Sequence, residues 1–173
     1  MIREANTFNM KDQKLNILDR ILILLLSWFY TGKFPKVPGT IGSLATLPLI
    51  YLFAKYQINI YTLISVILTL FVFSVLATQY LQQKLSLHDP QWIVMDEVIG
   101  MLITWAFIMR VDPASLFLVF FMFRFFDIVK VPPASYFDKM THGFGTIFDD
   151  VVSALYAGMT CYLVQYFLGP VAL

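Results

Sequence analysis

The sequence predicts an all-α protein: a multi-pass helical membrane bundle with short or interfacial helices and its functional site at the cytoplasmic surface. Three observations carry that prediction. Of 173 residues, 59% are hydrophobic and only 13% charged, against about 45–50% and 25% in soluble domains. Five apolar stretches, roughly 41–54, 58–81, 98–109, 114–126 and 151–168, are separated by polar turns. Aromatic residues, 17 Phe among them, reach 17% of the chain, high for a core that faces water.

Residues 1–14 (MIREANTFNMKDQK) read as a polar N-terminal arm, and 15–173 as one helical membrane domain. Residues 15–30 carry a helical pattern interrupted by Asp19 and Arg20 and ended by Thr31-Gly32. A bilayer crossing needs about 20 apolar residues, so this helix is expected to lie in the interface. The loop 32–39 holds two prolines and two glycines and cannot be helical throughout. Of the apolar stretches only 58–81 is long enough to span comfortably. Lengthening 98–109 and 114–126 draws Asp96, Glu97, Arg124 and Asp127 into the membrane boundary. The brief turns at 55–59 and 110–113 make two helical hairpins.

If each stretch crosses once, the arm and the segments 31–40, 82–97 and 127–150 share one face, and the C-terminus ends on the other. The shared face holds Arg3, Lys11, Lys14, Lys33, Lys36, Lys84, Lys130 and Lys139; the opposite turns hold only Lys55 and Arg110. The positive-inside rule assigns the crowded face to the cytoplasm. The same count places the acidic groups Asp89/Asp96/Glu97, Asp127 and Asp149/Asp150, with Asp138 between the last two, at one surface.

Several chemistries are excluded. A formal charge of +1 gives no field for nucleic acid. Cys161 is the only cysteine, so no internal disulfide or CxxC site exists. The polar first twenty residues do not read as a cleavable signal. There is no GxxxxGK[ST], and His88 and His142 lack HExxH spacing.

The acids carry the chemistry that remains. An ionisable group at membrane depth costs roughly 2.5 kcal/mol or more unless paired or hydrated, which marks it as functional by default. Asp89-Pro90 suits an N-cap and first turn, seven residues before Asp96. Asp96 and Glu97 interrupt WIVM–VIGMLITW and point about 100° apart on a helix; Gly100, one turn on, leaves room for a ligand or a helix. Arg124, Asp127 and Lys130 sit at i, i+3 and i+6, as a mutual salt bridge or as phosphate clamps around a metal ligand. Asp149 and Asp150 read alone as cap and first-turn acids; beside the others they suggest a shared oxygen-rich site of the kind that suits Mg²⁺. Lys36, Thr40 and Ser43 line a Gly-rich turn into a helix N-terminus, a ready anion site.

The blocks KVPGTIGS (36–43), DPQWIVMDEVIG (89–100), FRFFDIVKVPP (123–133) and HGFGTIFDDVVSALYAG (142–158) together resemble the phosphatidylglycerophosphatase A family of bacterial membrane lipid phosphatases. The resemblance implies Mg²⁺-dependent hydrolysis of the phosphomonoester of phosphatidylglycerophosphate at the inner membrane, on a membrane phospholipid substrate. It implies Asp96, Glu97, Asp127, Asp149 and Asp150 as metal and catalytic residues. Lys36, Thr40, Ser43, Arg124 and Lys130 would hold phosphate, with Asp89, Gly100 and His142 in support. Two departures stand out: Lys130-Val131-Pro132-Pro133 where the family has Lys-Pro-x-Pro, and Ser153-Ala154 where it tends to Ala-Gly. Neither removes a carboxylate. The rivals are a small ion-coupled transporter or channel, which an internal repeat would favour and the sequence lacks, and a nucleotide-dependent phospholipid synthase, whose longer aspartate array is absent.

Overall fold

A computed structural model of the protein describes residues 15–86, 90–137 and 143–169, with only the backbone at 143–146 and 168. Among these residues the regular elements are all helices: α1 (Ile17–Leu26), α2 (Pro38–Lys55), α3 (Ile60–Leu85), α4 (Met95–Ala106), α5 (Pro113–Val129), α6 (Ala134–Phe137) and α7 (Gly143–Leu168). The five long helices coincide with the five apolar stretches. Only α3 and Ile147–Phe167 of α7 are long and apolar enough to cross a membrane. At 1.5 Å per residue, α3 is about 39 Å long and α4 only about 18 Å. Asp89, Asp138, His88, His142 and the N-terminal arm lie outside the described residues.

The short α4 is the centre. It packs against α2, α3, α5 and α7, and Val98, Ile99, Met101, Leu102, Thr104 and Trp105 are all buried. A helix apolar on every side is stable only when surrounded. Gly100 admits α5: a Cβ there would stand 2.3 Å from the Phe123 ring. Of its two expected uses, room for a helix is the one the fold makes.

The outer helices turn apolar faces outward. Tyr61, Ile64, Leu68, Val72 and Leu76 on α3, and Phe117, Phe121, Phe125 and Ile128 on α5, are exposed. Faces this apolar and unpartnered suit lipid and are rarely presented to water. The two helices long enough to span and these faces fit a membrane protein.

Two local expectations are corrected. The first helix ends at Leu26, four residues early, because Trp28, Phe29 and Tyr30 turn through the left-handed region. That turn sets Gly32 against the Trp92 carbonyl, and Val94 N–H donates to Leu26 O at 3.0 Å. Asp19 stabilises α1 instead of interrupting it. It closes a capping box with Asn16 and accepts both bonds of Lys84 Nζ from α3 at 2.8 Å, with Tyr80 OH at 3.3 Å. Burial alone would raise the Asp19 pKa, but the Lys84 ammonium and the Asn16 N–H outweigh it and hold the carboxyl below its ordinary value. A depressed carboxyl stabilises the fold above its unfolded pKa of about 4 and loses that contribution as pH falls through the folded value. Asp19→Asn is therefore expected to lower the melting temperature at neutral pH and flatten its decline between about pH 5 and 2; an unchanged acid limb would count against this pairing.

Candidate active site

The N-termini of α4 and α7 meet the C-terminus of α5 and the N-terminus of α2 at one end of the bundle. Alternating helix directions make this possible, since residues 96–97, 127, 149–150 and 39 fall at matching ends. Oxygens of Asp96, Glu97 and Asp150 lie within 4.8 Å of one another. Asp127 lies beside Asp150 as a further negative charge at the same end. Asp150 is 4% exposed, while Asp96 and Glu97 are partly buried.

Charge balance decides what this cluster can hold. Two carboxylates about 4.8 Å apart repel by roughly 3 kcal/mol at an effective dielectric of 20, and three such pairs exist here. A cation bound between them reverses the sign of that energy. The donors are all hard oxygens at compact spacing, and one Glu97 oxygen is buried without a partner. These residues therefore fit a small divalent ion such as Mg²⁺. Asp96 and Glu97 also occupy the first turn of α4, where the helix dipole favours negative charge, and Glu97 N–H donates to Asp96 Oδ1 at 3.1 Å.

The basic residues ring the acids. Arg124 Nη1 lies 2.7 Å from Asp127 Oδ2 and 3.8 Å from Glu97 Oε1, with both partners largely buried. The i, i+3 salt bridge expected on α5 thus forms and is shared with α4. Lys130 does not continue the series. It takes the left-handed position that ends α5 and pairs with Asp149 of α7, so the turn redirects its side chain to the next helix.

Three expectations for individual residues change. The helix expected from Pro90 starts five residues later, at Met95; Ile93 N–H bonds to Pro90 O in a turn. The Leu26 and Gly32 contacts hold residues 92–94 out of the helix, and Asp89 itself lies outside the described residues. Asp149 and Asp150 are neither cap nor first-turn residues, since α7 begins at Gly143. Ser43 is fully buried and donates to its own helix at Gly39 O, 2.9 Å away, whereas Thr40 is half-buried and Lys36 exposed near the site end of α2.

The residue that sequence reasoning passed over is Gly39. A Cβ there would sit 2.0 Å from Glu97 Oε1 and 3.1 Å from Arg124 Nη1. Gly42, one turn on, faces Val94 at 2.8 Å. Gly39, Gly42, Ser43 and Thr46 form a buried small-residue stripe on α2, which lets its backbone close on the carboxylates. The signal was present as small residues at i, i+3, i+4 and i+7.

The model of a family described as phosphatidylglycerophosphatase A matches residues 24–165, which contain every acidic and basic residue of this cluster. The chain belongs to that family. It is 33% identical over 158 residues to a phosphatidylglycerophosphatase A of Haemophilus influenzae, covering 90% of this chain and 95% of the relative. It is 36% identical over 147 residues to one of Escherichia coli, covering 84% and 82%. A putative phosphatidylinositol-3-phosphatase of Bacteroides thetaiotaomicron is 26% identical over 153 residues, covering 85% and 95%. No solved structure matches. Membership in a phosphatidylglycerophosphatase family makes the protein a phosphatase and removes support from the transporter reading.

Proposed function

We propose that the protein hydrolyses the terminal phosphomonoester of phosphatidylglycerophosphate, giving phosphatidylglycerol and phosphate, in a Mg²⁺-dependent reaction at the cytoplasmic membrane surface. The observation that carries this reading is the convergence of Asp96, Glu97 and Asp150, from two helices, into one oxygen cluster in a chain of this family. A divalent ion there would neutralise phosphate charge and lower the pKa of a bound water.

The chain's own residues do the rest. Asp96, Glu97 and Asp150 would hold the ion. Asp127 pairs with Arg124 and holds its guanidinium beside the cluster. Arg124 sits between two carboxylates, which keeps a guanidinium, a group suited to phosphate, beside the cluster. Lys130 keeps Asp149 oriented while staying near enough to meet the same anion. Lys36, Thr40 and the first amides of α2 add a helix N-terminus on the phosphate side. The exposed apolar faces of α3 and α5 keep the site at the level where lipid headgroups lie.

Orientation follows from charge. Lys33, Lys36, Lys84 and Lys130 belong to the site end of the bundle, against Lys55 and Arg110 at the other, which supports a cytoplasmic site and several crossings. The test is phosphate release by purified protein from vesicles containing phosphatidylglycerophosphate. EDTA should abolish it and excess Mg²⁺ restore it; turnover that survives EDTA would reject the metal, and no turnover in Mg²⁺ would reject the substrate.

A further inference from the structure

Between α1 and α2 the chain turns an amphipathic surface outward. Phe29, Tyr30, Phe34 and Val37 are exposed, Phe34 by 58% and Val37 by 63%, and Lys33 and Lys36 stand exposed among them. Phe29, Tyr30 and Val37 also take the left-handed backbone, which is an outlier for bulky or β-branched residues. Strain of that kind, where it survives in a fold, points to function. The segment keeps large apolar side chains outward at positions where glycine or asparagine would sit more easily.

The loop is pinned at both ends. Gly32 closes on the Trp92 carbonyl and Gly39 on Glu97, where an added Cβ would stand 2.2 Å and 2.0 Å away. Both anchors lie within residues 92–97, so the loop flanks the carboxylate cluster. Its charge has one sign. Residues 28–39 (WFYTGKFPKVPG) contain no acid, and among the described residues neither lysine forms an ion pair. Lys33 Nζ lies 4.3 Å from the centre of the exposed Tyr30 ring.

Apolar tips beside unpaired lysines complement a partner that has apolar depth under a negatively charged surface. A leaflet containing anionic phospholipid has both. An acidic soluble protein offers the charge without the depth, and a second copy of the loop would set lysine against lysine. We propose that residues 29–37 dock into the headgroup layer of an anionic leaflet, with Phe34 and Val37 at the acyl boundary and Lys33 on lipid phosphate. The partner is the bulk phospholipid of the leaflet and not the molecule being hydrolysed, so the docking stands apart from the phosphatase reading. One lysine beside such a surface strengthens attachment about fivefold.

A nitroxide attached through Pro35→Cys reads the loop, since Pro35 is exposed and the native Cys161 is fully buried. The full chain is reconstituted in vesicles of phosphatidylcholine alone and of phosphatidylcholine with phosphatidylserine. With phosphatidylserine, a neutral water-soluble relaxation agent is expected to reach the label about fivefold less, and about 1 M salt should erase that difference by screening. Lys33→Gln should remove most of the phosphatidylserine effect, and Phe34→Ser should leave the label open to water in both vesicles. A label on the otherwise unchanged chain that is equally open to water in both vesicles would overturn the docking. Equal shielding in both, unmoved by Lys33→Gln or salt, would overturn the preference for an anionic surface. Dipolar broadening between labels that vanishes on dilution with unlabelled protein would put a second copy on this surface and overturn the proposal as well.

Discussion

Asp150→Asn is expected to reduce phosphate release by about 10³-fold, equivalent to about 4 kcal/mol of lost transition-state stabilisation. The substitution preserves shape and removes one charge from three closely spaced ligands. Stability should move the other way. In EDTA the variant is expected to melt at a higher temperature than the wild type, because one of three facing anions is gone. In Mg²⁺ the order should reverse, since only the intact cluster gains from binding the ion. Measuring kcat and the two melting curves together checks the assignment. Activity within tenfold of wild type, or wild-type stabilisation by Mg²⁺ in the variant, would show that the ion is held elsewhere.

Gly39→Ala should cost about 100-fold in activity while altering the charge of no residue. Its new methyl would stand 2.0 Å from Glu97 Oε1, so either Glu97 swings away or α2 backs off from α4. Displacements of about 1 Å at a reacting centre cost on that order. The weaker grip on the ion should appear as a higher Mg²⁺ requirement, and added Mg²⁺ should recover part of the rate. Gly42→Ala serves as the comparison, because its methyl meets the Val94 side chain and leaves the carboxylates alone. Equal losses in the two variants, with no Mg²⁺ recovery for Gly39→Ala, would mean that the stripe matters only for packing.

Much of this was legible in the sequence because membrane helices announce themselves. The apolar stretches became α2, α3, α4, α5 and α7, and short turns forced neighbouring helices to alternate direction. Alternation alone brought Asp96, Glu97, Asp127 and Asp150 to the same end. Local boundaries were harder. Pro90 looks like a first-turn residue, yet the Leu26 carbonyl and the packing of Gly32 hold residues 92–94 out of the helix. Asp149 and Asp150 look like caps, yet α7 begins at Gly143 and buries them in its second turn. Asp19 looked like an interruption because its partner, Lys84, is 65 residues away.

Composition and patterning by themselves determined that the chain is a helical membrane protein, and the order of its four motifs pointed to its family. Both are one-dimensional properties, set by how apolar and charged residues alternate along the chain. Which carboxylates share an ion-sized space, that Lys130 turns to Asp149 while Arg124 bridges two helices, and that Gly39 must lack a side chain were decided only in three dimensions. Those outcomes depend on distances between helices far apart in sequence, and close packing around the short central α4 sets them.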